Sequence, residues 1–279
     1  MSLSLQRVAV EAAPVLTEGG VLSAWLWHGQ TPEEALRGMF VRAGLAAEAA
    51  AGLVAGAELE SVNSALLDLH GPQRQPVQLH RIGLRYRLPA TLASPPHHVR
   101  ADPGEMLAEF GDLGEPASWQ LPILWQRPES EDITEPLLLQ RPGAYAVIRQ
   151  GRRIMLVQLR RSRLWTLPGG GIDMGEHPDV AVVREVLEES GQPLADPVLI
   201  GVNSARWRGS SPSRLPEDLH AVQILYTGTV PEGAEPVVLE VEGSTETAAW
   251  VDLAEVPELA LSSATRSVLV AIGLLERAE

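Results

Sequence analysis

Three glutamates, Glu185, Glu188 and Glu189, stand at i, i+3 and i+4 in the stretch LPGGGIDMGEHPDVAVVREVLEESGQPL, residues 167–194. On a helix those spacings place the three carboxylates on one face. Two carboxylates about 5 Å apart repel by roughly 3 kcal/mol at an effective dielectric near 20, and by about 1 kcal/mol in open water. Such a face calls for a cation. Arg184 supplies one from within the helix, as the i→i+4 partner of Glu188. A cluster of hard oxygen donors also suits Mg2+ or Mn2+. Alone, the pattern is that of a solvated acidic face. A run of three glycines, Gly169–Gly171, and Glu176 immediately before the helix turn it towards chemistry.

The elements that must position these groups are readable around them. Pro178 suits a first helical turn, where its missing N–H costs nothing, and Gly191 supplies a C-terminal stop, so the helix is predicted over 178–190. Val180, Val183 and Leu187 recur at helical spacing and are the expected buried face. GAYAVIRQ (143–150) and RRIMLVQLR (152–160) read as strands leading into the glycine run, and a final helix is expected over about 262–277.

This stretch closely resembles the Nudix box, G-x5-E-x7-R-E-U-x-E-E-x-G-U with U a bulky aliphatic. Gly170 is followed after five residues by Glu176, and seven more lead to Arg184-Glu185-Val186-Leu187-Glu188-Glu189-Ser190-Gly191. The one departure is Gln192, where an aliphatic residue is expected; Leu194 is the candidate to take over its packing. The resemblance spans 137–279, including ETAAWVDLAEV at 246–256. It implies an α/β/α sandwich that hydrolyses a nucleoside diphosphate linked to another group. Carried over position by position, Glu185, Glu188 and Glu189 would bind divalent metal, with the Gly170 carbonyl a further candidate and Glu176 a supplement. Arg184 would orient the glutamates. Glu185 is the first choice for the general base and Glu246 the second.

The chain also repeats itself. VNSALLDLHGPQRQPVQLHRIGLRY at 62–86 and VNSARWRGSSPSRLPEDLHAVQILY at 202–226 share ten of 25 positions without a gap. Each copy reads as strand, polar loop, strand; the second strand alternates, as in HAVQILYTG, like a half-buried ladder. EPASW (115–119) echoes ETAAW (246–250). A period of this length means two domains, so the expected fold class is α/β, two tandem Nudix-type α/β/α sandwich domains with mixed sheets. Residues 1–128 form the first domain, 129–136 a charged, proline-bounded linker and 137–279 the catalytic domain.

In the first copy GQTPEEALRGMFVRAGL (29–45) lies over the box. Thr31 and Glu34 form a capping-box pair, and Leu36, Phe40 and Ala43 an apolar face. Aligned from its C-terminal end, the glutamates become Gly38, Val41 and Arg42; aligned from the front, Met39, Arg42 and Ala43. Either way no metal-binding carboxylate survives. The first domain is expected to be catalytically silent and to pack on the active one as an intramolecular pseudo-dimer, with a homodimer also open.

Composition bounds the remaining choices. A net charge of −14 disfavours nucleic acid as a partner. There is no cysteine, which excludes disulfides and thiolate metal sites and suits a reducing cytoplasm; no lysine is present either, so lysine-based catalysis is excluded. No apolar run is long enough for a membrane span and no secretory signal is evident, so a cytoplasmic protein without membrane contact is expected. Arg206-Trp207-Arg208 replace Leu66-Leu67-Asp68 of the first copy. They read either as a substrate-binding group, stacking on a base and gripping phosphate, or as an amphipathic strand end with a packed Trp. Glu246 is either a strand-end charge or a group near substrate. His220 repeats His80 of the copy lacking the glutamates, which favours a structural role. The expected partner is a small nucleotide. The alternative to a hydrolase is a nucleotide-binding or regulatory module with negligible turnover.

Overall fold

The structure, a computed structural model, describes residues 3–13, 21–70, 76–89, 99–104, 137–210, 216–240 and 243–277. The expected linker at 129–136, EPASW at 115–119 and the loop segments 71–75 and 211–215 lie outside the described residues. The chain forms two compact units, Met1–Arg141 with Arg206–Ala221, and Pro142–Ala205 with Val222–Glu279.

The first sheet is mixed. Strands β1 (Leu3–Ala13), β2 (Leu22–Trp25), β3 (Glu58–His70) and β4 (Pro76–Arg87) lie in the order β2-β1-β4-β3. β1 runs parallel to β4, with Leu5 opposite Leu79 and Val8 opposite Ile82; the outer pairs are antiparallel. One face buries Leu5, Ala9, Trp25, Val77 and Leu79 as a core. Helix α1 (Pro32–Arg42) begins with the anticipated capping box: the Thr31 hydroxyl accepts from Glu34 N–H at 3.2 Å, and the Glu34 carboxylate accepts from Thr31 N–H at 2.9 Å. Leu36, Phe40 and Ala43 are all buried, as their spacing requires. A second helix, α2 (Ala47–Ala55), precedes β3.

The later strands are β5 (Leu137–Val147), β6 (Arg149–Gln150), β7 (Arg153–Leu159), β8 (Trp165–Thr166), β9 (Gly169–Gly171), β10 (Ala195–Ser210), β11 (Pro216–Thr229) and β12 (Thr245–Asp252). Helix α3 spans Pro178–Ser190 and α4 spans Ser263–Ala271. One sheet has the order β10-β11-β5-β9, and another the order β12-β7-β6 with β8 on β7. Val147, Leu225, Ile154, Leu156, Val251 and Leu269 belong to one apolar core that joins these sheets to α4.

Read from the other edge, β9-β5-β11-β10 repeats the order β2-β1-β4-β3, with α1 following β2 and α3 following β9. The sequence repeat is therefore also a repeat of topology. Residues 148–168 add β6, β7 and β8 in the second copy, where the first has only residues 14–21.

Three expectations need correction. Val180 and Leu187 are exposed; α3 buries Pro178, Ala181, Val182, Val186, Glu189 and Ser190 instead. The inward face is built of small side chains and one carboxylate, so apolar spacing alone selected the wrong face. α4 ends at Ala271 and not near 277, with Gly273 in the left-handed region beyond it. The stretch His220–Tyr226 is buried throughout and not on alternate residues, so both faces of β11 are covered there.

Candidate active site

Helix α3 starts at His177, whose ring accepts from Asp179 N–H, and ends at Gly191, which takes φ 66°. That left-handed geometry favours glycine and closes the helix. Arg184 lies among the carboxylates. Its Nε donates to Glu176 Oε1 at 2.9 Å and its Nη2 to Glu176 Oε2 at 2.8 Å, a bidentate fork. Nη1 donates to Glu185 at 2.8 Å and to Glu188 at 3.2 Å, and Nη2 also reaches the Gly171 carbonyl at 3.0 Å. One guanidinium thus ties the loop glutamate, two helix glutamates and the glycine strand together.

That strand is close because it is glycine. β9 pairs with β5, Gly170 opposite Ala144, and a Cβ on Gly170 would collide with the Glu185 carboxylate. Glu189 points inward and is 4% exposed. Its carboxylate accepts from Gly169 N–H at 2.8 Å and from the Thr245 hydroxyl on β12. Burial pushes the Glu189 carboxyl up to about 7; the bonds from Gly169 and Thr245 oppose this, while the charges of Glu185 and Glu240 add to it. Glu185 is also raised, first by burial and further by Glu188 and Glu240, against the pull of Arg184. Arg184 is held above its ordinary range, chiefly by its bonds to Glu176.

The cluster therefore holds more negative charge than Arg184 balances, in a partly dry setting, and all its donors are hard oxygens. That chemistry fits a divalent cation such as Mg2+. Among the described residues no three acidic or imidazole side chains yet converge on one point. Arg184 occupies the space between them, so Glu185 and Glu188 would have to turn from it towards an ion.

Residues 139–271 match the family model described as NUDIX domain. The chain is 43% identical over 61 residues, 22% of its length and 41% of the relative's, to the "Putative 8-oxo-dGTP diphosphatase" of Bacillus subtilis (strain 168). It is 32% identical over 81 residues, 29% of its length and 53% of the relative's, to a "MutT-like protein" of Streptomyces ambofaciens. The chain thus spans about half the length, or less, of these two curated relatives. Among solved structures, a MutT NUDIX hydrolase from Burkholderia pseudomallei is 30% identical, with 47% of this chain and 96% of that one covered at a TM-score of 0.39. The chain belongs to the Nudix hydrolase family.

Within the Nudix domain, Glu176, Arg184, Glu185 and Glu188 are in mutual contact through Arg184, with Gly170 against Glu185 and Glu189 one turn inward. Glu246, on β12, is paired with Arg163. Arg206, Trp207 and Arg208 belong to the first compact unit. There Arg206 grips the buried Asp218 through two bonds of 2.6 Å, and Arg208 adds one of 2.8 Å. Those bonds hold Asp218 well below the usual carboxylate range, Arg206 contributing most. Trp207 is 45% exposed.

Two participants gave no sequence signal. Thr245 anchors Glu189, and Glu240 acts electrostatically on both Glu185 and Glu189. Glu240 lies within the connection between β11 and β12 and Thr245 just beyond it, where no periodicity marks a residue as inward. Gln192 and Leu194 are both buried.

Proposed function

We propose that the Nudix domain hydrolyses a phosphoric anhydride bond in a nucleoside diphosphate derivative, with Mg2+ as the preferred ion and Mn2+ as a substitute. The observation that carries this reading is the gathering of Glu176, Glu185 and Glu188 by Arg184 beside a glycine strand, with Glu189 anchored beneath. Glu185, Glu188 and Glu189 are the candidate ligands, with the Gly170 carbonyl and Glu176 supporting them. A bound divalent ion supplies charge neutralisation at the phosphates and a lowered pKa for water.

The chain's own residues do the positioning. Arg184 holds Glu176 and the Gly171 carbonyl in place, which fixes the loop while Glu185 and Glu188 turn. Glu185, raised by burial, is poised to take a proton from the attacking water. Glu246 is the second candidate base. The substrate is a small nucleotide derivative, and the name of the Bacillus subtilis relative makes an oxidised deoxynucleoside triphosphate the first compound to try. The reaction suits a cytoplasmic setting; among the described residues no helix is long and apolar enough to cross a membrane. The first copy is proposed to be a catalytically silent Nudix-like domain.

A panel of nucleoside triphosphates, nucleotide sugars and dinucleotides, assayed for phosphate release with Mg2+ or with EDTA, tests the reading. Turnover of at least one compound with Mg2+ and none with EDTA is expected. No metal-dependent turnover across the panel would leave a nucleotide-binding module as the better reading.

A further inference from the structure

Gln192 is the only box position where this chain departs from the family pattern, and an aliphatic residue there would suit a buried site. Gln192 is 4% exposed. Its Nε2 donates to the Glu235 carbonyl at 3.2 Å, while its Oε1 is buried with no hydrogen-bond partner among the described residues. A half-satisfied amide is worse for packing than a leucine of similar volume. Packing does not explain it, so the bond to Glu235 is the feature to account for.

Glu235 opens a strap that runs back along the C-terminal end of α3. The last carbonyls of a helix have no partner within it, and here the strap supplies them. Val237 N–H donates to Ser190 O at 2.8 Å, and Leu239 and Glu240 N–H donate to Glu188 O at 2.8 and 3.1 Å. At Gly191 a Cβ would sit 2.7 Å from Val237 O, so the strap passes where only glycine lets it. Hydrophobic burial does not hold it: Val237 and Leu239 are 60% and 54% exposed. Polar ties do, namely the backbone bonds, Gln192 on Glu235, and Trp250 Nε1 donating to Ala234 O at 3.1 Å. At its far end stands Glu240, with its backbone on Glu188, the helix residue already in contact with Arg184.

We propose that Gln192 is a positioning residue that ties the 235–240 strap to the end of α3 and so holds Glu240 at the rim of the glutamate cluster, where its charge strengthens binding of the divalent ion. This rests on the metal-dependent reading above. The family's aliphatic residue would pack as well but could not make the tie.

The test uses the full chain and three variants: Gln192→Met, nearly isosteric without a donor, Glu240→Gln, and the two combined. Amide hydrogen exchange across 235–240 and calorimetric titration with Mn2+ are both read without substrate. Gln192→Met is expected to speed exchange across the strap at least about tenfold, as a local opening freed of one anchor should, and to weaken Mn2+ binding several-fold. Glu240→Gln should weaken Mn2+ binding as much with exchange unchanged, and the double variant should be no weaker than Glu240→Gln alone. Trp250→Phe, which removes the other side-chain tie, should speed exchange in the same direction. Unchanged exchange in Gln192→Met, or losses that add in the double variant, would overturn the proposal. If the substrate panel shows no turnover, the hydrolase reading fails while exchange and Mn2+ binding still decide the tie.

Discussion

His220 and His80 occupy the same place in the two copies, and each is buried on a sheet strand with a glutamine on its ring. Gln6 Nε2 lies 3.0 Å from His80 Nδ1, and Gln140 Nε2 lies 3.3 Å from His220 Nδ1. Conserving that arrangement in the copy without glutamates fits a structural role, as the repeat suggested. His220 also meets His28 edge-on at 5.6 Å between ring centroids. Burial first, and the charge of His28 second, lower its pKa to about 4. A histidine depressed in the folded state contributes stability that is present above its unfolded pKa near 6.5 and lost as pH falls towards about 4, because the unfolded chain takes up the proton first. The whole chain should therefore lose on the order of 1–3 kcal/mol through this residue between pH 7 and pH 4.5. Melting curves of the parent and His220→Gln at those two pH values check it. The variant should lose less stability than the parent across that interval; an equal loss would remove His220 as a cause.

At the scale of elements, α1 and α3 follow corresponding strands, and their burial favours one of the two alignments that the sequences left open. Pro32, Ala35, Leu36 and Phe40 are buried in α1, as are Pro178, Ala181, Val182 and Val186 in α3. That matches the helices from their N-terminal ends, so Met39 stands for Glu185, Arg42 for Glu188 and Ala43 for Glu189. Met39 and Ala43 are wholly buried, which is what an inward helix face takes when no carboxylate has to be kept there. The caps, the glutamate spacing and the α3 boundaries were legible because each depends on neighbours within one turn. The inward face of α3 was not, since Val180 and Leu187 obey the same period as Ala181, Val182 and Val186. Thr245, Glu240 and the strap were not legible either, because bonds across long sequence separations place them. The close approach of β9 to α3 yields a direct prediction. Gly170→Ala would push the Glu185 carboxylate aside, and a displacement near 1 Å at reacting groups costs up to about a hundredfold in rate. Turnover should fall by roughly ten- to a hundredfold with the melting temperature little changed. Full activity in Gly170→Ala would show that this contact does not set the geometry.

Across the whole molecule the strand order is shared between the two copies and the acidic set is not. The order β2-β1-β4-β3 recurs as β9-β5-β11-β10, and both copies keep a helix after the same strand. What differs is the acidic set: Glu176, Glu185, Glu188 and Glu189 in one copy, against Gln30, Met39, Arg42 and Ala43 in the other. A fold needs the apolar face and the cap, and both copies have them. Only a metal site needs four carboxylates close enough to repel one another. The central proposal is that this chain is a hydrolase whose turnover depends on those carboxylates. It is tested most directly by kcat/KM of the full chain with Mg2+ against the variant carrying Glu185→Gln and Glu188→Gln together. Loss of at least about a thousandfold is expected, as for removal of groups that hold a catalytic ion, with the melting temperature retained. Turnover within a few fold of the parent would contradict the account.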